Sequence, residues 1–454
     1  MKKIYVSISS ALLSFSAVSA DLTEVFLQSE KHDPQLSAAK HTLNASSEGK
    51  KQAFSTFLPQ VSASMSASTS DTESTTDKDG NEISFTSDSD NRGWSVSLSQ
   101  TLYNHANYQN YKISKLQVLQ SEAEYTTAYQ DFILRVANAY FNVLGAKDSL
   151  LFSEAEEKAI QRQLDQAEQR FEVGLAAITD VHEARARYDG ARASVIIAQN
   201  LLDDANEALF EMSQQYYTEL TQVPNDVDYG MFQLKTMDAY QELALAQNPD
   251  LMVAKVSSDI SEKQIGVSRS GHFPTLSLSA RKNHSFSPNT VSTQFDLNTQ
   301  VPVQFESGDQ TSDTNSISLN LNIPIYSGGR TSSQVRQSAS LHSAAMDRHE
   351  MTRRNTVRSV RNAYHGTLAA KSSVDARKQA MISAESGLEA TEAGYEVGTR
   401  TIVDVLNSQR SLYQAQRDYS QAKYDYFIQY LTLKRASGTL NAEDIFDINN
   451  KVLK

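Results

Sequence analysis

The sequence predicts an α+β membrane protein whose chain is internally duplicated, each half carrying a pair of β-strands and a long helical hairpin. Three observations predict it. Motifs recur in order at a nearly constant offset: Gln247-Asn248-Pro249-Asp250-Leu251 echoes His32-Asp33-Pro34-Gln35-Leu36 at 215, and Glu396-Val397-Gly398 with Asp404-Val405 echoes Glu172-Val173-Gly174 with Asp180-Val181 at 224. All eight prolines lie at 34, 59, 224, 249, 274, 288, 302 and 324, so the stretch 60–223 and everything after 324 are free of helix breakers. Four segments alternate apolar and polar residues with the period of a half-buried strand.

Composition excludes several classes. The 454 residues include no cysteine, which removes disulfides, thiolate metal sites, cysteine nucleophiles and a lipid-modified N-terminal cysteine. The net charge of −12 argues against a nucleic-acid partner, which usually meets a basic face. Mean hydropathy is −0.47, and no stretch after residue 20 approaches the ~18–20 apolar residues of a membrane-spanning helix.

The chain opens on Met1-Lys2-Lys3, an apolar run, and Val18-Ser19-Ala20 before Asp21. A basic start, a short apolar core and small residues read as a secretory signal over 1–20. The expected repeats are 21–235 and 236–454. In the first, strands are expected at about 59–70 and 92–103. Val61, Ala63, Met65 and Ala67 oppose Ser62, Ser64, Ser66 and Ser68, and Trp94, Val96, Leu98 and Leu102 oppose Ser95, Ser97, Ser99 and Thr101. In the second, strands are expected at about 274–286 and 314–326, where Leu276, Leu278 and Ala280, then Ile317, Leu319 and Leu321, alternate with Ser, Asn and Arg281. The polar stretches 69–92 and 283–315 read as exposed loops.

Helices fill the rest. From 104 to 172 there is one glycine, Gly145, and apolar residues recur from Leu116 through Tyr129, Phe132, Val136 and Tyr140 to Ile160, Leu164, Ala167 and Phe171. Over 405–433, Val405, Leu412, Ala415, Tyr419, Ala422, Tyr426, Tyr430 and Leu433 step by threes and fours, as in a coiled coil.

Four strands cannot close a barrel around a lumen, and open sheet edges are not tolerated in lipid. Other copies of the chain must therefore complete the sheet: two would give a filled eight-stranded barrel, three a twelve-stranded one with room for a channel. The Leu, Ile and Val face would meet lipid and the Ser, Asn and Thr face the lumen. Phe57, Trp94, Tyr103, Phe273 and Tyr326 stand where interfacial aromatic girdles would, or serve as ordinary core residues.

The residues that carry a family resemblance are Arg170-Phe171-Glu172-Val173-Gly174-Leu175 running to Ile178-Thr179-Asp180-Val181, the stretch Tyr395-Glu396-Val397-Gly398-Thr399-Arg400-Thr401-Ile402-Val403-Asp404-Val405-Leu406, and Ile323-Pro324-Ile325-Tyr326-Ser327-Gly328-Gly329-Arg330. On these, and over nearly all of the chain after residue 20, the sequence resembles the TolC family of bacterial outer-membrane efflux and secretion ducts. The resemblance implies a homotrimer in the outer membrane. Its twelve-stranded barrel would meet outer-membrane lipid, and a twelve-helix periplasmic tunnel would close at its tip. It also implies partners: a periplasmic adaptor (membrane fusion) protein and an inner-membrane RND, ABC or MFS transporter. No nucleic acid and no cofactor are expected.

Gly174 and Gly398 interrupt long helices at equivalent places and read as the turns of two helical hairpins. The resemblance adds that Val173, Gly174 and Leu175, with Val397, Gly398 and Thr399, form the surface that an adaptor engages. It further implies that Arg400 and Tyr395 bond to Asp180 and hold the tip shut, and that Asp404 forms an acidic ring at the constriction. Asp180 and Asp404 also have the spacing of helix caps, so a purely structural role stands beside the gate role. Three residues beyond Asp404, where well-known members carry a second aspartate, this chain has Asn407, which removes three negative charges per trimer.

No enzyme chemistry is visible. His342, His349 and Glu350 lack zinc-protease spacing, and Gly328-Gly329-Arg330 is not followed by the Lys-Ser/Thr of a phosphate loop. The competing class is a trimeric coiled-coil adhesin anchored by its strands. The duplication favours the duct, because it supplies two strand hairpins and two helical hairpins per chain.

Overall fold

The computed structural model describes residues 20–78, 81–224, 227–289, 291–295 and 301–453. Apart from Ala20, the expected signal segment 1–20 lies outside them. In chain order the elements are α1 (Leu22–His32), α2 (Pro34–Ser55), β1 (Gln60–Lys78), β2 (Asn81–Tyr103), α3 (His105–Glu172), α4 (Ile178–Ser213), α5 (Met237–Gln247), α6 (Pro249–Arg269), β3 (Thr275–Ser287), β4 (Val291–Phe295), β5 (Pro302–Glu306), β6 (Gln310–Asn322), α7 (Arg330–Glu396), α8 (Ile402–Ala436) and α9 (Ala442–Val452). Two compact units emerge. One takes the chain up to Leu43, Ser121–Ala254 and everything from Arg348; the other takes Asn44–Gln120 and Lys255–Asp347. Each unit draws on both halves of the sequence.

The second unit holds an antiparallel sheet in which β1, β2, β3 and β6 pair in that order. Cross-strand rows alternate in character. Val61, Leu98, Ala280 and Ile317 form one row, and Ser62, Ser97, Arg281 and Ser316 form the next, on the opposite face. The apolar face is open: Val61, Met65, Ile317, Leu319 and Leu321 are 60–86% exposed in the chain alone. On the polar face, Ser62 and Ser97, then Ser64 and Ser95, share hydrogen bonds of 2.8 Å. Among the described residues β1 pairs only with β2, and β6 only with β3, so both edges of the long-stranded sheet lack partners.

The two expected loops are mostly strand. β1 and β2 pair without interruption from Gln60↔Ser99 to Lys78↔Asn81, and β3 and β6 pair out to Ser287↔Gln310. Ser and Thr suit a pleated surface when their hydroxyls find partners across it. Thr69 donates to Asp90 at 2.6 Å, and Ser70 and Ser89 share a 3.0 Å bond. Segment 283–315 also contains the short hairpin β4–β5, which pairs with β2 at Thr86↔Thr293. A register shift between Thr101 and Tyr103 puts Tyr103, rather than Leu102, opposite Leu276. Gly93 permits a close approach, because a Cβ there would lie 2.7 Å from the His284 carbonyl oxygen. Of the expected girdle residues, Trp94, Tyr103, Phe273 and Tyr326 are 36–86% exposed, whereas Phe57 packs edge-on against Tyr111 with ring centroids 6.0 Å apart.

The first unit is helical. Phe132, Val136 and Tyr140 of α3 join Tyr419, Tyr426 and Phe427 of α8 in its main core, together with Leu22 and Phe26 of α1 and Ile445 and Ile448 of α9. The Tyr140 hydroxyl, buried, donates to the Thr221 carbonyl at 2.7 Å. The repeated motifs before Pro34 and Pro249 act alike: Asp33 Oδ1 accepts from the Leu36 amide at 2.6 Å, and Asn248 Oδ1 from the Leu251 amide at 3.0 Å, each capping its helix. Arg435, mostly buried, pairs with Asp131 at 2.7 Å and Asp250 at 2.9 Å. Helices α1 and α9 meet here, since Asn449 Nδ2 donates to Asp21 Oδ2 at 2.8 Å and Phe446 packs edge-on against Phe26.

Candidate functional site

The two helical hairpins turn by the same geometry. Gly174 has φ 78° and Gly398 φ 80°. At the first turn, Gly174 N–H donates to Phe171 O at 2.9 Å and Leu175 N–H to Arg170 O at 2.7 Å. At the second, Gly398 N–H donates to Tyr395 O at 3.1 Å and Thr399 N–H to Gly394 O at 2.8 Å. This pair of bonds is the Schellman closure, which satisfies the last carbonyls of a helix and needs a left-handed residue. The side chains flanking the glycines point away from the core: Val173 is 69% exposed, Leu175 78% and Val397 75%, with Thr399 also exposed. Phe171, which continues the apolar run in the sequence, is 42% exposed instead of buried.

Behind the turns lies a small core. Ile160, Leu164 and Ala167 of α3, Val181, Ala184 and Ala191 of α4, and Ile402 and Leu406 of α8 are buried together, with Tyr188 and Tyr395 packed on them. Both hairpins thus meet in one cluster. Three alanines let the helices approach closely.

Polar contacts knit the same region. Arg185 pairs with Glu168 at 2.6 Å within the first hairpin. Gln409 donates to Glu392 at 3.4 Å within the second. Between the hairpins, Arg417 pairs with Glu156 at 2.9 Å, with side chains 27% and 11% exposed. Further along, the Tyr424 hydroxyl donates to Asp148 Oδ2 at 2.7 Å, joined by the Ser420 hydroxyl.

Asp180 is half-buried in the first turn of α4, whose N-cap is Ala177, so Asp180 is not the cap that its spacing allowed. It faces the positive helix end without capping it. Among the described residues, no hydrogen bond or ion pair joins Asp180 to Tyr395 or Arg400 within the chain. The Tyr395 ring instead receives the Arg170 guanidinium 4.7 Å from its centroid. Arg400 is exposed, and its aliphatic stem lies over Gly394.

Asp404 does form a cap. Its Oδ2 accepts from the Thr401 amide and hydroxyl, both at 2.9 Å, while Thr401 Oγ1 accepts from the Asp404 amide at 3.2 Å. These Thr401 bonds hold the carboxyl below the usual carboxylate range, with the nearby Arg400 charge adding to the effect. Asp404 is therefore a fixed anion at neutral pH. Asn407, one turn on, is exposed and accepts at Oδ1 from Arg187 Nη2 of α4 at 3.4 Å; Arg187 also pairs with Glu183 at 3.2 Å. Arg187 and the Arg417–Glu156 pair do not stand out in the sequence, and Arg170 does so only as part of the motif before Gly174. Only the Glu183–Arg187 spacing of four carried a signal.

The outer membrane efflux protein family model matches residues 27–213 and again 241–439, once per half. The chain is 36% identical to the outer membrane protein TolC of Vibrio cholerae over 99% of its length and 98% of that protein. It is 26% identical to the alkaline protease secretion protein AprF of Pseudomonas aeruginosa over 96% of its length and 88% of that protein. Its fold is similar to the crystal structure of the Campylobacter jejuni CmeC outer membrane channel, with TM-score 0.71, 18% identity and coverage of 95% and 89% of the two chains.

Proposed function

Since the chain belongs to the outer membrane efflux protein family, it is an outer-membrane exit duct for efflux or secretion, and we propose that this duct is latched at its helical turns and opened there by partner proteins. The observation that carries the reading is the pairing of two incomplete features in one chain. Among the described residues the sheet has two unpaired edges and an exposed apolar face, and the two helical turns are alike and present apolar side chains. Three copies close the sheet into a twelve-stranded barrel with a polar lumen, and their hairpins form a twelve-helix tunnel.

The latch follows from what the chain leaves unpaired. Asp180 is half-buried and Arg400 exposed, and neither bonds the other within one copy. In a trimer the Arg400 guanidinium of one copy reaches an acidic side chain of the next, because its planar fork bridges several acceptors. Each such partly exposed link is worth ~0–1 kcal/mol, so three together make a latch that partner binding can release. The exposed Val173, Leu175, Val397 and Thr399 are where the tips of a periplasmic adaptor dock, and an inner-membrane RND, ABC or MFS transporter supplies the energy. Asp404 forms an acidic ring at the constriction, where a low-dielectric wall focuses its field.

Single-channel conductance in a planar bilayer tests the latch. Wild type is expected to conduct weakly and the Arg400→Ala/Tyr395→Phe variant several-fold more. Equal, large conductance in both leaves a duct without this latch; no conductance in either removes the duct.

A further inference from the structure

Among the described residues, the polar face of the four-stranded part of the sheet, rows Gln60 to Ser70 of β1, carries a single charge. Along the paired rows of β1, β2, β3 and β6, this face presents Gln60, serines 62 to 70, Ser89, Asn91, Gly93 and serines 95 to 99. Thr101, the serines and Asn283 of β3, and the Gln, Ser, Thr and Asn residues of β6 continue it. In these rows Arg281 alone is ionised. Its row is Ser62, Ser97, Arg281 and Ser316. The side chain is exposed, and among the described residues no carboxylate pairs with it. The next residue, Lys282, stands on the opposite face beside Trp94, whose ring centroid lies 5.9 Å from its Nζ.

Resting on the exit-duct reading, we propose that Arg281 forms a threefold cationic ring in the barrel lumen that binds phosphate- or carboxylate-bearing solutes on their way out. The lumen face elsewhere offers hydroxyl and amide groups, which bind anions and cations without strong preference. Three guanidinium groups break that neutrality. Each presents a planar fork that matches a carboxylate or phosphate edge, and the Ser97 and Ser316 hydroxyls of the same row stand beside it. Among the described residues no acid of the same chain competes for the fork. Sign matters as well as strength, because this ring is opposite in charge to Asp404 on α8. A solute rejected by one ring is favoured by the other, so the barrel selects on a basis that the helical constriction does not.

The field reaches furthest in dilute salt, since the screening length is ~10 Å at 0.1 M and ~3 Å at 1 M. The test uses inositol hexakisphosphate as a blocker of the full trimer in a planar bilayer, added to each side in turn, at low and high KCl. Wild type is expected to be blocked more strongly from one side. Arg281→Ser is expected to need about tenfold more blocker, a gap that collapses in high salt as screening shortens. Arg281→Lys keeps the charge and much of the block, and shows that the position tolerates change. Lys282→Ser, one residue away on the opposite face, is expected to block as wild type does. Unchanged block in Arg281→Ser, or an equal loss in Lys282→Ser, overturns the ring. A wild type that conducts but is never blocked overturns it too and leaves the duct standing. A wild type that never conducts overturns the duct itself.

Discussion

Arg187 on α4 donates to the side-chain oxygen of Asn407 on α8 across 3.4 Å, so the residue expected to thin the acidic ring is also a bond between the two hairpins. Asn407→Asp would turn a neutral acceptor into a charge-assisted one and add three negative charges per trimer. Cation preference and block by multivalent cations are expected to rise. Because Arg187 offsets part of the new charge, Asn407→Asp/Arg187→Ala is expected to show the larger change. Reversal potentials in a KCl gradient measure both; identical selectivity in all three proteins would remove Asn407 from the constriction.

Asp404 gives a pH prediction with a definite sign. Its carboxyl is depressed from the ordinary 3.8 by the Thr401 bonds, so the stabilisation it contributes is present above that value. It is lost as pH falls through the lowered folded-state value. Cation preference attributable to Asp404 is therefore expected to hold down to about pH 4 and fade only below. Thr401→Val deletes the hydroxyl donor and is expected to move the fade to higher pH. A pH series of reversal potentials on both proteins checks this, and coincident curves would contradict it.

Gly174 and Gly398 have open space where a Cβ would go, so alanine there meets strain from φ alone. Each substitution is expected to cost ~1 kcal/mol of local stability. Hydrogen exchange of the Leu175 and Thr399 amides, which close the turns, is expected to quicken, with little change in the main core. Protection equal to wild type would show that the turns are held by something other than the Schellman bonds.

Arg417 and Glu156 form the least exposed ion pair between the hairpins. Arg417→Ala leaves an uncompensated carboxylate that is 11% exposed, at an expected cost of about 2 kcal/mol. Arg417→Ala/Glu156→Gln is expected to recover most of it. Thermal unfolding of the trimers reads the difference; a single variant as stable as wild type would show the pair to be idle.

Periodicity made most of the architecture legible. Prolines and the 3.6-residue repeat marked α3 and α8 to within a few residues, and the two Val-Gly motifs marked turns whose glycines are left-handed as expected. Strand extent was misread where alternation stopped. Apart from Ile83 and Phe85, residues 69–92 are polar, so little in their hydropathy distinguishes a strand outside lipid from a loop; the hydroxyl pairs such as Ser70 with Ser89 do. At the turns, spacing separated neither cap from charge. Thr401 and Asp404 form the cap, whereas Asp180, at the equivalent repeat position, does not. The difference lies at the residue three before, Thr401 in one half and Ala177 in the other. Contacts such as Arg170 on Tyr395 join residues 225 positions apart and leave no trace in local pattern.

The bond from Asn449 to Asp21 sets an order of events. Its partners are 428 residues apart, and α9 packs on α1 around it. A contact of that span carries a large loop-closure entropy and is expected to form late. Helix α1 is therefore only partly covered before α9 docks: Phe26 has Phe132 of α3 on one side and waits for Phe446 of α9 on the other. Until α9 arrives, part of the apolar face of α1 is expected to stay open, so the pace at which residues 442–452 follow residues 22–32 is expected to set the folding yield.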